Sequence, residues 1–129
     1  MTEKTILIVE DDTAISRALS AKLKIAGYVA HEALNGRMGL DIALKEHPDL
    51  ILLDIVMPEM DGLSMLRELR KDPWGANAAV IILTNLNEAE KLSDAMERNV
   101  FDYLVKSDWT LDKVLERVQQ KLAQHDPAQ

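Results

Sequence analysis

Short unbroken apolar runs recur along this chain with amphipathic stretches between them, and that alternation limits the fold more than any other feature. Ile6-Leu7-Ile8-Val9, Leu50-Ile51-Leu52-Leu53, Val80-Ile81-Ile82-Leu83 and Tyr103-Leu104-Val105 are continuous and leucine-rich or β-branched. They lack the in-out alternation of a strand with one wet face. Runs of this kind suit strands covered on both faces, and hence a parallel sheet. They are labelled β1, β3, β4 and β5. A weaker, more polar segment over residues 28–33 fits an edge strand, β2.

The intervening stretches read as helices. Asp12 or Thr13 can cap α1, whose Ile15, Leu19, Leu23 and Ala26 share one face before Gly27 stops it. The pattern predicts α2 over residues 36–46, before Pro48, and α3 over 63–71, before Pro73. It predicts α4 over about 88–98, with Asn99 as a left-handed cap. Leu111, Val114, Leu115, Val118 and Leu122 share one face of α5, and residues 125–129 should fray. The insert Asp72-Pro73-Trp74-Gly75 reads as a loop whose tryptophan covers an edge of the core. His31, His47 and His125 are scattered, without metal-site spacing. Strands alternating with helices imply right-handed crossovers and helices on both faces of the sheet. One α/β domain, residues 1–129 with a core at about 4–122, accounts for the chain.

Composition removes several classes of function. At 129 residues the chain can bury a sizeable core. With no cysteine, disulfides, thiol catalysis and thiolate-bound metals are excluded. A net charge of −7 argues against non-specific nucleic-acid binding and against docking on anionic membranes. There is no signal-peptide pattern and no apolar run near the roughly 18 residues of a membrane span. A soluble, cytoplasmic protein is expected.

In open α/β sheets, ligands bind beyond the carboxyl ends of the strands, where strand order reverses. There β1 delivers Glu10-Asp11-Asp12, β3 delivers Asp54, β4 Thr84 and β5 Lys106. Asp12 fits a helix cap. If β1 and β3 are neighbours, Asp11 and Asp54 lie on chains about 5 Å apart. Like charges that close repel, and one takes up a proton unless a cation sits between them. Hard carboxylate oxygens suit Mg²⁺. Asp54 is then either a ligand only or also a nucleophile, since an aspartate can attack phosphorus to form an acyl phosphate. Such a transfer needs charge neutralised on the phosphoryl oxygens, by Mg²⁺, by Lys106, and by the Thr84 hydroxyl with backbone N–H.

Glu10-Asp11, Asp54 followed by Met57-Pro58-Glu59-Met60-Asp61-Gly62, Thr84, and Tyr103-Leu104-Val105-Lys106 together resemble the receiver domain of two-component response regulators, of the stand-alone, CheY-like kind. The resemblance covers residues 4–122. It implies a flavodoxin-like, doubly wound five-stranded sheet in the order 2-1-3-4-5. It implies Asp54 as phosphoacceptor and Mg²⁺ held by Asp11, Asp54 and the backbone carbonyl of Val56, with Glu10 acting through water. Thr84 and Lys106 match the positions that bind the phosphoryl group, and Tyr103 matches the switch aromatic. Pro58 stiffens the β3–α3 loop, Asp61 can cap α3, and Gly62 permits a tight turn.

The chain departs from the family at Asn85, where a small residue is usual and access to Asp54 narrows. Ser107 follows the lysine where the family usually has proline, so a trans Lys106–Ser107 bond is expected, with Lys106 still directed at Asp54. Trp109 and Thr110 imply a loop about one residue longer before α5.

The resemblance implies a histidine kinase or histidine phosphotransfer protein as phosphodonor. It also implies a downstream protein or a second copy docking on the α4-β5-α5 face, with no direct nucleic-acid or membrane contact. No output domain follows α5, so the chain reads as a stand-alone receiver or as one cut from a longer protein. A receiver assists its own phosphorylation and dephosphorylation rather than acting as an enzyme. Aspartyl-phosphate phosphohydrolases need a second acid two residues after the nucleophile, and Val56 stands there. A nucleotide-binding module needs a glycine-rich loop after β1, where this chain has acids. A receiver-like binding module that is never phosphorylated is the remaining alternative.

Overall fold

A computed structural model of the chain describes residues 3–84, 103–105 and 110–124. The apolar runs form β1 (Thr5–Val9), β3 (Leu50–Asp54), β4 (Val80–Thr84) and β5 (Tyr103–Val105), and the more polar segment forms β2 (Val29–Ala33). All pairings are parallel, in the order β2-β1-β3-β4-β5. The chain therefore reverses its winding direction between β1 and β3, the place where such sheets bind ligands.

The unbroken runs have a direct cause. Successive strand residues point to opposite faces, and both faces are covered. Leu7, Val9, Ile51, Leu53, Val80 and Ile82 lie in one buried core with Leu40 and Ala43 of α2 and Met65, Leu66 and Leu69 of α3. Ile6, Ile8, Leu50, Leu52, Ile81 and Leu83 lie in the other, with Leu19 and Leu23 of α1 and Val114 and Val118 of α5. Each such side chain contributes roughly 1.5–3 kcal/mol on leaving water, so the central strands hold the molecule together. β5 differs from the expectation of full cover. It is an outer strand, Tyr103 is 38% exposed, and Leu104 and Val105 are half-buried.

The helices start where short polar side chains can take up their free N–H groups. Asp12, not Thr13, caps α1 (Thr13–Ile25), accepting from Ala14 and Ile15; after Ala26 the chain turns at Gly27, φ 100°. Asn35 caps α2 (Gly36–Glu46), which ends on His47 in the left-handed region, φ 49°. Asp61 caps α3 (Gly62–Lys71), one residue earlier than the sequence pattern indicates. The Thr110 hydroxyl accepts from the Lys113 N–H at the start of α5 (Leu111–Gln124), and Lys22 of α1 pairs with Asp112. Trp74 packs against the first core and stacks on His47, ring centroids 4.3 Å apart, so it does cover a core edge. A 3-10 turn, Gly75–Asn77, follows it and leads into β4. The predicted α4 with its Asn99 cap, Asn85, the Lys106–Ser107 bond, the loop at Trp109 and the tail with His125 lie outside the described residues.

Candidate metal centre

The register of the two central strands builds this site. Val9 pairs with Leu53, so the residues that follow, Glu10 and Asp54, stand side by side where the pairing ends, and Asp11 comes one step later. Asp54 is the last residue of β3 itself, paired across to Leu83 on β4. Its carboxylate is thus carried on the central strand of the sheet and is only 6% exposed; Glu10 is fully buried. One carboxylate oxygen from each of Glu10, Asp11 and Asp54 lies within 4.8 Å of the other two. No other such grouping of potential metal ligands occurs among the described residues.

Each acid is held by the backbone around it. The Ile55 N–H donates to Asp54 Oδ1 at 2.9 Å, and the Asp12 N–H donates to Glu10 Oε2 at 3.2 Å. Asp11 is exposed at the rim, yet partial burial of its carboxyl raises its pKa above the ordinary 3.8, and Glu10 raises it further by hydrogen bond and by charge. Hydrogen bonds from its own backbone and with Asp54 oppose the shift. An assembly that disfavours its own negative charge is one that a divalent cation would relieve. The donor set is all oxygen, with two buried carboxylates, which fits Mg²⁺ rather than a soft metal.

The loop after β3 is shaped by close approach. The Gly62 N–H donates to the Ile55 carbonyl at 2.7 Å, and a Cβ at Gly62 would lie 2.0 Å from the Asp54 carbonyl oxygen. Glycine is required there because two backbones touch, not because of the tight turn expected from sequence. Val56 stands two residues after Asp54 and is 55% exposed, between the buried Ile55 and Met57. It has no group that could transfer a proton, so the second acid of a phosphohydrolase is missing from that position.

Thr84 is the last residue of β4, one step beyond the Asp54–Leu83 pair, and it pairs with Val105. Tyr103 opens β5 opposite Ile82. Lys106 falls outside the described residues. One contact carries no sequence signal at all: the Gly36 N–H of α2 donates to the Met60 carbonyl of the β3–α3 loop at 3.0 Å.

With this geometry, the comparison with known proteins is decisive. Residues 6–119 match the response regulator receiver domain. The chain belongs to that family. The DNA-binding dual master transcriptional regulator RpaA of Synechocystis is 36% identical over 121 residues, a stretch that covers 94% of this chain and 50% of that protein. This receiver spans half or less of the length of the curated relatives that it matches. A CheY-like receiver domain protein from Methanospirillum hungatei superposes with a TM-score of 0.87 at 28% identity, covering 96% of this chain and 97% of that one. The receiver domain of the sensor histidine kinase PA1611 from Pseudomonas aeruginosa has a magnesium ion coordinated in its active-site cleft. It aligns at a TM-score of 0.84 and 25% identity, over 95% of this receiver and 99% of its own chain. The sheet order and the flanking helices are those of the flavodoxin-like fold.

Proposed function

We propose that this receiver accepts a phosphoryl group on Asp54 from a phosphohistidine of a histidine kinase or a histidine phosphotransfer protein. The observation that carries the reading is the convergence of Glu10, Asp11 and Asp54 at the carboxyl end of β1 and β3. A carboxylate oxygen of Asp54 forms the bond to phosphorus while the phosphorus–nitrogen bond to the donor imidazole breaks. The imidazole leaves with the electron pair and takes a proton from solvent. Asp11, Asp54 and the Val56 backbone carbonyl would hold Mg²⁺, with Glu10 acting through water; the bound ion supplies positive charge to the phosphoryl oxygens. Thr84 and Lys106 serve the remaining oxygens.

The receiver is an acceptor that assists its own phosphorylation and dephosphorylation, not an enzyme acting on a separate substrate. In this reading the receiver works in the cytoplasm, without direct nucleic-acid or membrane contact of its own. Among the described residues no helix is long and apolar enough to cross a membrane. Tyr103 and Thr84 act as the switch, and the α4-β5-α5 face presents the result to a downstream protein or a second copy. The outer strand β5 supports that choice of face, since Tyr103 is 38% exposed and lies in neither buried core.

Incubation with acetyl phosphate and Mg²⁺ should add one phosphate, and the label should be lost in Asp54→Asn and in excess chelator. Undiminished labelling of Asp54→Asn would overturn the assignment.

A further inference from the structure

We infer that Gly36, the first residue of α2, is a positioning residue for the metal-binding site, acting through the β3–α3 loop; this rests on the metal reading above. The first N–H groups of a helix have no partner within it. Here Asn35 Oδ1 takes the Met38 N–H at 2.8 Å, whereas the Gly36 N–H leaves the helix and donates to the Met60 carbonyl at 3.0 Å.

The backbone that leads to that carbonyl takes an uncommon conformation. Glu59, just before it, has φ 65°, a left-handed conformation that a glutamate adopts only when its surroundings impose it. The Met60 N–H turns back onto the Pro58 carbonyl at 2.7 Å. The Gly62–Ile55 bond closes the two ends of the loop on each other, and the Asp61 cap fixes the second end to α3. Its middle, residues 56–60, contains the Val56 carbonyl implied as a metal ligand. The Gly36–Met60 bond ties that middle to α2, alongside the packing of Met57 and Met60 against the first core.

Only glycine allows the contact. A Cβ at position 36 would lie 2.2 Å from the Met60 carbonyl oxygen and 2.9 Å from its carbon. Neither is the end of a flexible side chain, so the loop or the helix has to move. The helix has little slack, because Leu40 and Ala43 are packed in the core and a Cβ at Gly39 would already meet Val9 at 2.8 Å. The displacement therefore falls on the loop, and on the Val56 carbonyl with it.

The experiment compares Gly36→Ala with Ala43→Gly, which weakens α2 at its other end without adding an atom near Met60. Titration with MgCl₂ should give a dissociation constant about tenfold or more weaker in Gly36→Ala, the scale of losses from groups that orient metal ligands. Ala43→Gly should match the unmodified protein. Equal constants for Gly36→Ala and the unmodified protein would overturn the inference, as would equal weakening by both variants. Coupling is reciprocal, so MgCl₂ should also slow hydrogen exchange at the Gly36 amide of the unmodified protein. That arm decides the matter if Gly36→Ala fails to fold, and exchange unaffected by MgCl₂ would again overturn it. No saturable MgCl₂ response in the unmodified protein would instead strike at the metal reading itself, and at this inference with it.

Discussion

Asp11 stands exposed at the rim of the cluster that it forms with Glu10 and Asp54. Partial burial and then Glu10 raise its pKa above 3.8, so the metal-free folded protein holds this proton more tightly than the unfolded chain does. Stability contributed by the protonated form is present below 3.8 and is lost as pH rises through the folded pKa. Replacing Asp11 with asparagine removes the charge that causes the loss. At pH 7 and without metal, Asp11→Asn should melt at a higher temperature than the unmodified protein, and the two curves should converge below pH 3.8. Its Mg²⁺ affinity should drop by roughly tenfold or more, a loss that even the outer partners of metal ligands cause when they are removed. Identical dissociation constants would take Asp11 out of the ligand set.

At the level of elements, the sheet and its caps are legible in the sequence because each rests on local chemistry. Continuous runs mean two covered faces, and Asp12 and Asp61 cap as short acids do. Strand order is legible only through the family resemblance, since periodicity does not say which strand lies beside which. The cover on β5 was not legible, because a three-residue apolar run looks the same in the middle of a sheet and at its margin. The clustering of the acids at the ends of β1 and β3 was legible, because carboxylates after apolar runs need a reason. Loop contacts were not. Gly62 reads as a turn residue, yet its role is to let the α3 backbone touch the Asp54 carbonyl. Gly62→Ala would force backbone against backbone, and overpacking of this kind costs roughly 1–3 kcal/mol or more. Urea unfolding should show a midpoint lowered to match, with phosphorylation by acetyl phosphate slowed as well, because the strained atoms belong to Asp54 and Ile55. A variant as stable as the parent would mean that the loop has room the structure does not show.

Across the whole molecule, the sheet concentrates buried acid at one edge of a protein that already carries a net charge of −7. A phosphoryl group on Asp54 would add about −1.5 to −2 more, beside the one candidate cation site among the described residues. Charge introduced there bears on the ends of β3 and β4 and, through the pairing of Thr84 with Val105, on the outer strand β5. A single strand, β4, separates β3 and its Asp54 from the outer strand β5. All of this depends on the phosphoryl group residing on Asp54. An acyl phosphate is reduced by borohydride to an alcohol, so an aspartyl phosphate becomes homoserine at its own position in the chain. After acetyl phosphate and Mg²⁺, borohydride treatment and peptide mapping should find homoserine at position 54 and aspartate unchanged at position 11. Homoserine at position 11, or a phosphate that survives borohydride on a hydroxyl or imidazole side chain, would contradict it.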